Sequence, residues 1–555
     1  MKVSQRKRNS LAIPIMILAL AMGAALLMAQ SADALPLEGI VRTVTGEPLA
    51  GIPVRASMTG RNLAFVVYSN REGRYKYQDL SAGTYTVDLW VAGFEPAKKE
   101  GVTVTKTAAR LDFTLKSVAP GLLDLTTAEV LLSLPGSEET RQHLAECSNC
   151  HSLQFALQHK MDRAQWLKTI EKMRGLTYEG TMDRPERVRE RLRRTEKINP
   201  ELAELLTSIT GPDAMPLTPK LLPRPSDEAS TQITITEYQI SRGAIRATLR
   251  GDPRAAWTHD VLPDRQTGFV WYADHIANIL GRLDPKTGEI QEFTYPKAKP
   301  DRRGGGGHPA IDKDGNIWVG SGAQESIVKL DPTTGQFQLY TMRENEGNPA
   351  LVRVDSAGNV WTASPGTSSI HKLEVKTGKF SDYSIPPPTD IYGGSIGLDS
   401  KDIVYFCGLN SGNIGRLDPK AGKFTIWPTP TPHSGPRRLA IDDRDRFWFA
   451  EFFAGKIGMF DPKTETIHEW AIPGNRYAAP YVVAVDNKNQ AVWANDFNNN
   501  RIFRFDIKTE KFTEFLLPEP DVEIRHISVD DSTIPPTVWI PDYSPPGKIL
   551  KVQAW

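Results

Sequence analysis

The sequence predicts a multidomain, mainly β protein: a small β-sandwich, a short all-α unit and a seven-bladed β-propeller. Three observations predict it. A short text built from an aspartate turn and an aromatic recurs through residues 232–555. Residues 35–117 alternate apolar and polar with turn signals at short intervals. Between them, residues 121–210 change to helical spacing. A chain of 555 residues is long enough for several separate cores. The net charge of +1 gives no bias toward nucleic acid, which is not an expected partner.

Positions 1–34 read as a signal peptide. Lys2, Arg6, Lys7 and Arg8 precede an apolar run from Leu11 to Ala29, and Ala32-Asp33-Ala34 offers a small-x-small cleavage site. The run is also long enough to stay as an anchor, so a membrane is a partner only if cleavage fails. Either way the chain is expected to be exported, with a bacterial periplasm as its compartment.

In residues 35–117, Tyr85, Val87, Leu89 and Val91 fall on one strand face and Thr86, Asp88 and Trp90 on the other. Turns are marked at Gly46-Glu47-Pro48, Asn70-Arg71-Glu72-Gly73, Ala82-Gly83 and Ala92-Gly93. Several short strands at this spacing suggest a sandwich. The pattern Gly46 to Val54, then Gly73-Arg74-Tyr75, Gly83-Thr84-Tyr85 and Gly93-Phe94, resembles the carboxypeptidase regulatory-like domain. That resemblance implies a transthyretin-like sandwich, a carbohydrate-binding-like fold used for adhesion or docking, without chemistry of its own. No histidine lies in the segment. Trp90 and Phe94 are expected to pack in the core or at an edge rather than to bind a ligand.

Residues 121–210 read as helices. Ala128 to Leu134 is the first, with Thr127 as its N-cap and Pro135-Gly136 as its stop. Asp162 caps the helix in which Trp166, Ile170 and Met173 share a face, and a last helix runs from Pro200 to Ile209. Between them stands Cys147-Ser148-Asn149-Cys150-His151. C-x-x-C-H is the spacing of c-type haem attachment: both thiols meet one porphyrin edge and the histidine swings under the iron. A zinc site needs further ligands nearby, and the one other cysteine, Cys407, sits far away in an apolar strand run. A redox C-x-x-C needs a βαβ setting that is not visible. Haem c is therefore the expected cofactor, held by Cys147, Cys150 and His151. Met173 is the expected distal ligand, a soft thioether that raises the potential. Met182, Met161, His159 and an open sixth position are the alternatives. Met173 also has an ordinary reading, as a helix core residue.

The helical segment resembles a small class I cytochrome c domain. Its run from Cys147 to His151 and then Trp166 to Met173 is similar to the haem domains of quinohaemoprotein amine dehydrogenases. Arg184, Arg187, Arg189, Arg191, Arg193 and Arg194, interleaved with Glu186, Glu190 and Glu196, read as a solvated helix, with docking of an acidic redox partner as the sharper reading. Residues 211–231, rich in Pro and Thr, read as a linker.

In 232–555, Leu283-Asp284-Pro285-Lys286-Thr287-Gly288 recurs at Leu330, Leu373, Leu417, Phe460 and Phe505. Each copy follows an aromatic: Trp271, Trp318, Trp361, Tyr405, Trp448 and Trp493, with Trp539 as a seventh. The aromatics lie 43 to 47 residues apart, the period of a four-stranded blade. The chain ends before a seventh outer strand, so Ile235-Thr236-Glu237-Tyr238 is expected to complete the last blade and remove the open edge.

The blade text Gly315 to Val319, Asn413 to Pro419 and Phe447-Trp448-Phe449-Ala450-Glu451 resembles the virginiamycin B lyase (streptogramin lyase) family of propellers. That resemblance implies Mg²⁺-dependent C–O elimination on a cyclic depsipeptide at the centre of one face, with Glu451 as the matching metal ligand and no single position matching the histidine base.

The segments entering the innermost strands hold His259, His308, His433 and His526, with Tyr392, Arg437, Tyr477 and Arg525 at equivalent points. Far apart in sequence, the four histidines are expected to converge as an acid/base or metal site; a polar, water-filled mouth is the ordinary reading. The function these patterns favour is electron transfer by a mono-haem c protein. Its propeller would bind the small molecule or the periplasmic redox partner that is oxidised. A Mg²⁺-dependent lyase at the propeller face and a non-catalytic scaffold are the alternatives.

Overall fold

The computed structural model describes residues 35–555 apart from 106, 108, 150, 176–195, 215–216, 243–254, 303, 344–346 and 392–394. The expected signal segment, the arginine-rich stretch up to Arg194, Cys150, Met182 and Tyr392 lie outside the described residues. Among the described residues, no helix is long and apolar enough to cross a membrane.

The C-terminal part is a propeller. Six sheets, each of four consecutive antiparallel strands, follow one another between Thr258 and Leu516. A seventh blade joins Ser528–Asp530, Thr537–Asp542 and Lys548–Ala554 to a strand from the start of the domain, Ile233–Gln239. The register pairs Ile549 with Tyr238 and Val552 with Ile235, so the ring closes where the repeat text runs out.

The repeat itself makes the turns and packs the blades. Asp284, Asp331, Asp418, Asp461 and Asp506 each accept the backbone N–H two residues on, at 2.8–3.0 Å. The glycine closing the turn adopts φ +76° at Gly288 and +72° at Gly335. The conserved-looking aromatics are core: the indole Nε1 of Trp318, Trp361 and Trp448 donates to Asp312, Asp355 and Asp442 at 2.8–3.0 Å. These carboxylates hold strands in place and are already engaged.

The N-terminal sandwich packs the sheet of Leu35–Thr43, Arg74–Leu80 and two short strands on that of Leu63–Tyr68, Pro53–Met58, Gly83–Leu89 and Ala97–Val104. Its core holds Leu37, Val54, Tyr77, Tyr85 and Val87. The sandwich is not a separate bead. Leu63–Tyr68 pairs with the far side of Ile233–Gln239, so sandwich and last blade share one eight-stranded sheet. Glu237 is buried at this seam against Arg55 at 2.7 Å and Lys548 at 3.7 Å, and Lys548 also meets Glu519 at 2.5 Å. Trp90 lines the small cavity where sandwich, linker and propeller meet.

Among the described residues the α-helices are α1 (Thr127–Ser133), α2 (Glu138–Ala145), α3 (Leu153–Leu157), α4 (Arg163–Arg174), α5 (Ile198–Thr210) and α6 (Glu228–Thr231). The first cap is Thr126, one residue earlier than expected, because Thr126 and Glu129 form a reciprocal capping box. Asp162 caps α4 as expected. Apolar faces of α1, α4 and α5 meet around Leu131, Trp166, Leu202 and Leu206. The segment read as a linker is tied down: Leu222 N–H donates to Glu129, and Arg501 donates to the Pro223 carbonyl.

Glu237→Gln leaves Arg55 and Lys548 with weaker compensation at the seam. Breaking a buried ion pair costs about 3–5 kcal/mol, discounted to about 2–4 kcal/mol here because Arg55 is partly exposed. The midpoint of urea unfolding should fall accordingly; an unchanged midpoint would mean that the seam does not depend on this charge.

Candidate functional site

The seven innermost strands stand next to one another around the axis, so the residues that begin them converge. Two of these strands carry bulges, between Thr258 and Asp260 and between Pro436 and Leu439. A bulge re-aims side chains that would otherwise alternate across the sheet. Here it lets His259 and Asp260 bond to each other, Nδ1 to Oδ2. On the facing strand it brings Arg438 Nη1 to 2.6 Å from Asp260 Oδ1. His308 Nδ1 lies 3.5 Å from the same oxygen, and the rings of His308 and His526 are 4.1 Å apart.

All five groups are buried. Burial alone would raise the Asp260 carboxyl, but the Arg438 guanidinium and His259 hold it well below the usual carboxylate range. Burial pushes His259 and His308 down to about 4, so both rings are neutral near pH 7. Burial, with His308 beside it, holds His526 well below its usual range. One ligand atom each from Asp260, His308 and His526 lie within 4.8 Å of one another. Two neutral imidazoles and a carboxylate are a donor set for a transition ion. Arg438 on the same carboxylate works against a dication there.

Above this layer lies an aromatic one. His259 stacks on His275 at 4.8 Å, Tyr543 meets His259 edge-on at 5.4 Å, and Trp257 meets Tyr543 at 5.4 Å. Arg525 sits 4.7 Å over Tyr543 and pairs with Glu523 at 3.0 Å; Arg437 sits 3.8 Å over Tyr481. The helical unit covers this mouth. Ser152 N–H donates to Glu523 Oε1 at 2.6 Å, and Phe155 of α3 packs on Trp257 and Tyr543. Ala128 N–H donates to the Asn498 carbonyl, and Tyr477 O–H to Glu138 at 3.0 Å.

The described residues of the haem-type motif thus stand beside the propeller mouth. Cys147 is half-buried in a short 3₁₀ turn after α2. His151 Nδ1 donates to the Ser152 carbonyl at 2.8 Å, and because a carbonyl only accepts, the neutral ring keeps its lone pair on Nε2. Its ring lies 5.6 Å from Phe155. Met173 is 47 % exposed near the end of α4, whereas Trp166 and Ile170 on the same stripe are buried; the core reading of Met173 does not hold. Met161 packs against the core and accepts from Thr169, and His159 turns to the Phe155 carbonyl.

His433 does not join the axial cluster. It is an exposed loop residue with φ 54°. Glu451 is buried in the second strand of its blade, beside Cys407 and Glu469 rather than with Asp260. Burial pushes the Glu451 carboxyl up to about 8, and neither oxygen has a hydrogen-bond partner. Cys407 is buried, and burial raises its thiol far above the usual range, which makes it inert. The residues that sequence reasoning missed are Asp260, Arg353, Arg438, Tyr543 and Glu523. The adjacent pairs His259-Asp260 and Arg437-Arg438 at equivalent blade positions were the available signal.

Residues 264–540 match the model of the Virginiamycin B lyase family, and residues 36–116 match that of the carboxypeptidase regulatory-like domain. No curated protein matches the chain. Among solved structures, a streptogramin B lyase is 24% identical, covers 59% of this chain and 100% of its own, and has a TM-score of 0.51. A catalytically inactive histidine-to-alanine variant of virginiamycin B lyase from Staphylococcus aureus, with quinupristin, is 22% identical over 58% of this chain and 100% of its own, at a TM-score of 0.50. At these identities the likeness establishes the propeller fold and leaves the reaction open.

Glu451 yields a pH-dependent prediction. The folded state keeps its proton from pH 4.5 to about 8, so its stabilising effect is full below 4.5 and lost as pH rises through 8. Glu451→Gln keeps the neutral shape. Its stability advantage over the wild type should grow between pH 5 and pH 9 by up to about 4 kcal/mol. Thermal unfolding at both pH values checks this; parallel curves would mean an ionised Glu451. A second expectation concerns Asp260. Arg438→Met strands a buried carboxylate and should cost about 3–5 kcal/mol, while Arg438→Lys should recover part of it.

Proposed function

We propose that the chain is an exported mono-haem c protein whose electron transfer is coupled to a molecule or partner held at the propeller mouth. The observation that carries the reading is the placement of the Cys147-to-His151 motif on that mouth through the Ser152–Glu523 bond. The half-buried Cys147 and the engaged Nδ1 of His151 support a haem there. Cys147 and Cys150 would tether it, and His151, with Nδ1 engaged, would offer Nε2 to the iron. Met173, exposed on α4, would be the sixth ligand. When bound, a haem iron of this kind supplies one-electron transfer between Fe(III) and Fe(II). The chain's own part is to exclude water and set orientation. Phe155, Trp257 and Tyr543 form an apolar layer between the motif and the axial charges. Glu523 fixes the backbone next to His151, and Arg525 holds Glu523 in place. A basic leader and small-x-small site support export to the periplasm, where such thiols are loaded.

A second reading, a Mg²⁺-dependent lyase acting on a streptogramin such as quinupristin, is favoured by the family match over 264–540. It would use Glu451 as metal ligand; no single position matches the histidine base, and His433 is one candidate. The two readings separate cleanly. Glu451→Ala with His433→Ala abolishes depsipeptide opening under the lyase reading and leaves haem reduction untouched under the first.

Protein produced in a periplasm competent for haem c maturation should carry a covalent, low-spin haem indifferent to carbon monoxide. Cys147→Ala should weaken the covalent link, and Met173→Ala should open the iron to carbon monoxide. Absence of any covalent haem would end the electron-transfer reading; a low-spin spectrum that survives Met173→Ala would reassign the sixth ligand.

A further inference from the structure

The axial cluster has a second approach. His308 and Arg353 both face Asp260, and both line a cavity of about 500 Å³ among the first three inner strands. Its other walls come from the far ends of those strands, on the propeller face opposite the helical unit. The charges there do not balance. Asp260 is already engaged by Arg438 and His259. At the rim, Asp264 accepts from Gln266 and Thr267, Asp312 accepts from Asn316 and Trp318, and Arg265 pairs with Asp531 at 2.7 Å. Arg353 donates only to the Val352 carbonyl, at 2.8 Å, and no carboxylate among the described residues forms an ion pair with it. His308 Nδ1 is turned toward Asp260 Oδ1, at 3.5 Å. A guanidinium without a carboxylate of its own on a cavity wall calls for an anion. A divalent metal on Asp260, His308 and His526 would instead add charge beside Arg438 and Arg353. The remaining wall is apolar: Leu262, Pro309, Ile311 and Val354.

We propose that this cavity binds a small organic carboxylate, with its anionic head on Arg353 and its hydrocarbon part on Leu262, Ile311 and Val354. The site opens on the propeller face opposite the helical unit and does not depend on the haem-type motif. A planar guanidinium suits a carboxylate in two-point contact, and the apolar wall favours a chain of several carbons over acetate.

The test is calorimetric titration of the full chain with acetate, butyrate and hexanoate, with hexanol and hexylamine as controls of equal length. Saturable one-to-one binding that tightens from acetate to hexanoate is expected, with no binding of hexanol or hexylamine. Arg353→Gln should weaken hexanoate at least tenfold, and Arg353→Lys should recover part of that loss. Ile311→Glu, which places a like charge on the cavity wall, should abolish binding by a second route should Arg353→Gln fail to fold. Hexanoate binding unchanged in these variants, equal binding of hexylamine, or no carboxylate binding at all would overturn the proposal. One-to-one binding of Zn²⁺ that is lost in His526→Ala would overturn it in favour of a metal site.

Discussion

A ring of sheets drawn from one linear chain must be closed by its two ends, and here a single strand does so. Ile233–Gln239 hydrogen-bonds to Lys548–Ala554 on one side and to Leu63–Tyr68 on the other. An outer blade strand normally keeps one edge of unpaired backbone groups. Using both edges turns closure of the propeller and attachment of the sandwich into one structural event. Glu237 in that strand, against Arg55 from the sandwich and Lys548 from the last strand, puts charge at the same seam. Closure fixes the inner strands around the axis, and the axial geometry follows from it.

At the axis the dominant fact is buried charge. An isolated carboxylate inside protein is costly, and Asp260 is tolerated because Arg438, His259 and His308 surround it. The same burial keeps the histidines neutral, so the cluster is a set of directional hydrogen-bonding groups and not a block of positive charge. Glu451 shows the opposite solution. Without a partner, it stays ionised only at high pH. Two buried carboxyl groups in different blades thus hold different protonation states because one has a guanidinium beside it.

The helical unit and the propeller are joined through hydrogen bonds at the mouth and through shared apolar side chains, Phe155 and Tyr477 among them. The segment after α5 strengthens the joint: its backbone donates to Glu129 of α1 and accepts from Arg501 of the propeller. A composition rich in Pro and Thr reads as a tether, yet proline leaves carbonyls available, and a neighbouring arginine uses one. This packing sets the C-x-x-C-H motif over the mouth rather than at the end of a flexible arm.

Much of the architecture is local and therefore legible in the sequence. Aspartate turns, glycines with positive φ and a tryptophan bonded to an aspartate six residues earlier are contacts within one blade, so the text repeats with the blade. The alternation of Tyr85, Val87 and Leu89 marks a sandwich face for the same reason. The strand that closes the ring was legible too, because the missing seventh outer strand left one candidate. Other features depend on contacts hundreds of residues apart. The pairing of Leu63–Tyr68 with Ile233–Gln239 needs an edge that exists only once the ring has closed. Asp260 meets Arg438 only because bulges turn both side chains inward, and a bulge breaks the very alternation by which strands are read. The position of Met173 in solvent, against its helical stripe, depends on how far the neighbouring helices reach. The sequence by itself determined which residues make turns, strands and the haem-type motif; the tertiary structure alone decided which distant side chains share the axis, because convergence there is set by the closure of the ring and not by spacing along the chain.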